Sequence, residues 1–170
     1  GEAALRVGEN GQALQDVYVP RFDQQVDAIR TDMGLTAVQT ERFNARLQPL
    51  ATRYRGALDT HFSTQFNAYR ADVADTTVTL GQQNIMAAPG DEDEVTRNSD
   101  MIAEAVRTEY RRLGRDPVAA ELAVREAVGK PHAAAVSAMA AQNPREAQAH
   151  WDRYRDVMTP EQADVSYRTF

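Results

Sequence analysis

The chain has 170 residues, 42% of them hydrophobic, which is enough to bury a core as one domain or as two small helical lobes. It contains no Cys, which excludes a disulfide framework, a thiolate zinc site and a cysteine nucleophile. With 19 basic against 25 acidic residues the formal charge is −6, which argues against a nucleic-acid coat or a protein held on anionic lipid.

No stretch approaches the roughly 20 apolar residues of a spanning helix, and Gly1 to Asn10 shows no signal-peptide pattern. The chain starts with Gly and stops at Phe170 within a helical pattern, so it reads as a piece of a longer polypeptide. Apolar residues recur at helical spacing almost throughout, and the alternation of a strand is hard to find, which makes the expected fold all-α. Residues 1 to about 10 are expected to fray. Pro20 suits a first helical turn, and a helix carrying Phe22, Val26, Ile29 and Met33 should then run to Gly34. Thr36 and Gln39 have capping-box spacing. From there a stripe follows through Phe43, Leu47, Leu50, Tyr54, Leu58, Phe62, Phe66, Tyr69 and Val73. Its thirty residues in eight steps exceed the 3.5-residue period of a left-handed coiled coil.

Pro49 should kink that helix or divide it. Leu50 to about Met86 then forms a helix on the order of 55 Å, weakened near Thr76, Thr77, Val78 and Gly81. Ala88-Pro89-Gly90 and the acids Asp91 to Glu94 read as a linker, giving an N-terminal helical lobe over 11–88 and a C-terminal helical-hairpin lobe over 92–170. In the second lobe one helix carries Met101, Ile102, Ala105, Val106, Tyr110 and Leu113 and ends at Gly114. Asp116-Pro117, Asn143-Pro144 and Thr159-Pro160 each open another in cap-then-proline order. Gly129 and Pro131 should split 117–128 from 132–142. The expected architecture is a long helix, kinked or divided at Pro49, followed by short antiparallel hairpins. The expected core is Phe43, Leu47, Leu58, Phe62, Phe66, Ile102, Val106, Tyr110, Val136, Trp151 and Tyr154.

Chemistry is sparse in this sequence. His61, His132 and His150 have no ligand spacing and are expected on the surface or in packing roles. The acidic run lacks the spacing of a calcium loop. Phosphate-loop and nucleophile-elbow motifs are absent. No catalytic residue, metal, cofactor or small-molecule substrate is therefore expected. Arginine supplies 18 of the 19 basic residues, Lys130 being the other. Arg42, Arg46, Arg53 and Arg55 flank Pro49, and Arg107, Arg111, Arg112 and Arg115 crowd a helix end. Both clusters read first as salt-bridged faces. Phe62, Phe66 and Tyr69 form an aromatic stripe along a helix that outruns its own lobe, so a homo-oligomer or a protein partner along 50–75 is expected. The candidate partner-binding residues are Phe62, Phe66, Tyr69, Arg107, Arg111 and Arg115.

Three segments together have a familiar look: Asp100-Met-Ile-Ala through Tyr110-Arg-Arg-Leu-Gly114, His132-Ala-Ala-Ala-Val136-Ser-Ala-Met139, and Asn143-Pro144-Arg-Glu-Ala147-Gln-Ala-His-Trp151-Asp-Arg-Tyr154. This region, about 100–160, resembles helical segments of the large tail-associated or internal (ejected) virion proteins of tailed bacteriophages and prophages. The resemblance implies a structural or delivery role in a particle and carries no catalytic residue onto the chain. The expected function is a non-catalytic structural or interaction domain of such a virion protein, located in the virion or the cytoplasm. A cellular helical adaptor is the alternative. A peptidoglycan-cleaving helical domain ranks lower, because its catalytic Glu-Ser motif is not visible.

Overall fold

A computed structural model describes the backbone of residues 7–169 and the side chains of 18–169. Among the described residues there are six α-helices, a single 3-10 turn and no strand. The helices are α1 (Val7–Asp32), α2 (Ala37–Ala87), α3 (Glu92–Arg112), α4 (Pro117–Ala140), α5 (Pro144–Tyr154) and α6 (Pro160–Tyr167), with the 3-10 turn Arg155–Val157 between the last two. Of the residues 1 to about 10 expected to fray, 1–6 lie outside the described residues and 7–10 belong to α1.

Several helix ends follow from local chemistry. Thr36 donates its backbone N–H to the Gln39 side chain at 3.0 Å, which fixes the entry to α2. Asp91 accepts from the Glu94 N–H, and Asp116 from the Val118 N–H with Pro117 in the first turn. Asn143 caps α5 in the same way, and Thr159 with Gln162 forms a complete capping box on α6. At the end of α3, Gly114 has φ +62°, its N–H donates to the Arg111 carbonyl, and Arg115 N–H donates to the Tyr110 carbonyl. That is a Schellman closure, and a side chain at 114 would strain it.

Four expectations are corrected. Helix α1 begins well before Pro20 and carries that proline inside it. Of the two alternatives at Pro49 the division does not occur, and α2 runs through it and onward past Gly81 to Ala87. Pro49 is exposed, so the helix carbonyl it leaves unbonded can be met by water. Segments 117–128 and 132–142 are one helix, and the acidic run is the cap and first turn of α3 rather than a linker.

The division between compact units also differs. It falls between Tyr69 and Arg70, inside α2, and not at the Ala88–Gly90 turn. The physical reason is packing: Ile85 from the end of α2 is fully buried with Val95, Ile102 and Ala103 of α3 and Val124 and Val128 of α4. Residues 70–87 therefore belong with the C-terminal core.

The N-terminal unit holds α1 and the first part of α2. Its helices meet through large side chains: Phe22 stacks on Tyr54 at 4.8 Å between centroids, and the Arg30 guanidinium lies over Phe43. Arg30 also donates to Asp27 at 2.7 Å and to Asn44 at 2.6 Å. Val26 alone among this unit's described apolar side chains is buried. Phe43, Leu47, Leu58 and Phe62 are half-buried, and Phe66 is exposed, contrary to its expected place in the core.

The C-terminal unit packs through small residues. A methyl group added at Gly81 would sit 2.7 Å from Ile102 Cγ1, and one at Gly129 would sit 2.8 Å from the Met158 backbone. Ala147 and Val136 are fully buried beside Met158. Trp151 is half-buried, donating its indole N–H to the Ala163 carbonyl at 2.9 Å, and Tyr154 packs against both clusters of the core.

Helix α4 survives Pro131 because a side chain substitutes for the missing backbone donor. The proline cannot bond the Ala127 carbonyl, and Gln82 Nε2 from α2 donates to that oxygen at 2.8 Å. Gln162, having closed the capping box, also donates Nε2 to the neighbouring Glu126 carbonyl at 3.2 Å. Gly129 and Pro131 are thus the contact point of three helices.

Candidate functional site

The most chemically distinctive group in the molecule is a buried cluster that neighbouring helices bring together in the C-terminal unit. His132, just after Pro131 on α4, is fully buried, and its Nδ1 lies 3.0 Å from Nε2 of the buried His150 on α5. Tyr154, one turn beyond His150, stacks on His132 at 4.3 Å and tilts against His150 at 4.6 Å. The far nitrogen of His132, Nε2, is 3.3 Å from Ser99 Oγ on α3. The backbone of Pro89 favours the charged form of His150, and the nearby Arg153 opposes it.

Burial pushes His132 down to about 3, helped by the neighbouring imidazole. His150 is lowered as well, mainly by burial. Both rings are therefore neutral at pH 7. The sign follows directly: the unfolded chain takes up these protons near 6.5, the folded one only at lower pH, so folding loses stability as the pH falls below about 6.5.

Ser99, His132 and His150 form a line of hydroxyl and imidazoles that superficially matches a nucleophile, a base and an orienting group. Three features oppose that use. Ser99 Oγ is 2.8 Å from the carbonyl of Val95 and bonds within its own helix. The base lies in the packed interior, where a substrate has no approach. Ser99 lies in the interior of α3, where its helix's backbone N–H groups are committed to helical bonds and not free to hold an oxyanion. Among the described residues no group of three or more His, Asp or Glu side chains is placed to hold a metal ion.

Of the arginines singled out from the sequence, Arg55 pairs with Asp23, and the four at the end of α3 are engaged within the chain. Arg107 makes a two-pronged bond to Glu121 at 2.7 and 2.9 Å, which raises the Arg107 pKa and lowers that of Glu121. Arg111 bonds Glu104 at 2.6 Å, and Arg115 lies over the Tyr110 ring. Arg112 pairs with Glu109 and holds that carboxyl below its ordinary range. These contacts fasten α3 to the start of α4 and along its own surface.

The aromatic candidates lie in the other unit. Phe62 and Phe66 stack at 5.7 Å, with Phe62 half-buried. Phe66 and Tyr69 are 37% and 39% exposed, which places them at the margin of the surface rather than fully outside it. More open are Ile29, Met33 and Val38 around the α1–α2 turn, at 48%, 60% and 59%, and Leu50 at 57%.

Sequence reasoning missed the imidazole pair, because His132 and His150 share no motif. A helical projection carries one available signal: His150 falls on the α5 face of Ala147 and Tyr154, and His132 on the α4 face of Val128 and Val136. His61 is exposed on α2. Among the described residues no helix is long and apolar enough to cross a membrane. No family model, curated protein or solved structure matches the chain.

Proposed function

We propose that this chain is a non-catalytic helical interaction domain, and that its N-terminal hairpin of α1 and the first part of α2 receives another protein. The observation that carries this reading is the imbalance in that unit, where Val26 is buried while Ile29, Met33, Val38 and Leu50 stand open. Two helices with so little enclosed apolar surface are marginal alone, and helices gain most of their stability from packing a face. The reading extends to a long helix followed by an array of short antiparallel hairpins. The resemblance of residues 100–160 to virion proteins of tailed phages supports a setting in a particle, with the domain presented to like subunits or to neighbouring tail components.

The test is the composition of purified particles. Mass spectrometry of phage or prophage virions from the source cell should find this chain in stoichiometric amount, crosslinked to other virion proteins through residues 18–69. Recovery only in complexes of cellular proteins, with none in particles, would replace the virion setting with the cellular-adaptor reading. A compact monomer whose residues 18–69 crosslink to nothing would remove the interaction role itself.

A further inference from the structure

We propose that the His132–His150 pair is an acid-operated latch that holds α5 and α6 onto α3 and α4 and releases them when the pair takes up a second proton. The inference does not depend on the partner reading above, since it concerns the other unit. It follows from counting hydrogens along the line of contacts. The Ser99 O–H is donated to the Val95 carbonyl, so with both rings neutral the donors run one way: His132 Nε2–H to Ser99 Oγ, then His150 Nε2–H to His132 Nδ1. A first proton has His150 Nδ1 to occupy, where burial opposes the charge. A second proton has only His132 Nδ1 to occupy. There it faces the Nε2–H of His150 across 3.0 Å, two donors and two buried charges with no acceptor between them.

The groups around the pair do not relieve this. Arg153 on α5 is ion-paired with Glu92 at the start of α3, and its positive charge opposes protonation of His150. Lys130 precedes His132 on the exposed side of α4. Tyr154 offers a ring face and Ser99 a single hydroxyl. The side chains reaching this part of α4 from α2 and α6, Gln82 and Gln162, are uncharged amides bonded to its backbone. Separation of α5 from α4 is the movement that hydrates both rings. It would also uncover the contact of Val136 with Ala147 and Met158, so an apolar surface opens in acid.

The test is amide hydrogen exchange of α5 and α6 in the whole chain, between pH 7.5 and 5, combined with proton NMR of the imidazoles. That window lies above the carboxylate range, so acid chains stay ionised. The latch predicts that the opening equilibrium rises by up to about a hundredfold per pH unit below 6.5, about tenfold for each imidazole. His150→Gln should cut that dependence to about tenfold, and His61→Gln should leave it unchanged. Native imidazole signals of His132 and His150 should not titrate while α5 remains protected. Equal pH dependence in His150→Gln and the parent chain would overturn the proposal. If that variant fails to fold, the parent chain decides: ring signals titrating near 6.5 with α5 protection unchanged would overturn it equally.

Discussion

In the N-terminal unit, helices touch through large side chains laid on one another, Phe22 on Tyr54 and Arg30 over Phe43, and little is enclosed between them. In the C-terminal unit they touch through Gly81, Gly129 and Ala147, and the backbones come close enough to seal Ile85, Val95, Ile102 and Val136 from water. The difference shows that helix length and apolar content do not set stability by themselves. The longest helix, α2 with 51 residues, contributes the buried Gly81 and Ile85 from its last part and no buried residue from its first. Small residues at crossing points convert a stripe into a core, because they let neighbouring large side chains meet across the gap.

The contrast can be broken most sharply at Ile102. Its replacement by Ala should cost about 2–5 kcal/mol in urea unfolding followed by Trp151 fluorescence, since the side chain is fully buried. Lowering the pH from 6.5 to 5.5 should weaken the C-terminal unit by up to about 1.4 kcal/mol for each of His132 and His150, read from the urea midpoint. Gly129→Ala should cost about 1–3 kcal/mol, because the Met158 backbone at 2.8 Å is rigid and cannot step aside as a side-chain end would. Gln82→Ala should cost about 1–3 kcal/mol by orphaning the Ala127 carbonyl below Pro131, whereas the same change at the exposed Gln83 should be close to neutral. In the N-terminal unit, Met33→Ala should move the thermal midpoint of the isolated chain by the equivalent of less than about 0.5 kcal/mol. A loss there as large as at Ile102 would erase the distinction between the units.

What was legible in the sequence was local. The caps Asp116, Asn143 and Thr159, each followed by Pro, mark helix starts because the cap and the orphan N–H groups it serves lie within three residues. Gly114 marks an end for the same reason. Pro131 misled because its penalty is offset from a distant helix, by Gln82, and nothing around residue 131 announces that donor. Gly81 and Gly129 looked like helix weaknesses and are contact points, a role that depends on what crosses them. The imidazole pair joins two helices whose mutual register depends on the packed core. The salt-bridged reading of Arg107, Arg111 and Arg115 needed only neighbours of opposite charge, and Glu104 and Glu121 supply them to the first two.

The C-terminal unit is closed by its own side chains, and in the proposed function the N-terminal unit is covered by a second molecule. Amide hydrogen exchange of the dilute chain at pH 7.5, resolved by segment, tests this contrast directly. Residues 75–160 should exchange through rare opening, with protection exceeding that of residues 18–60 by about a hundredfold or more, and protection of the latter should rise as protein concentration or a binding partner is increased. Equal, concentration-independent protection across both units would contradict the account.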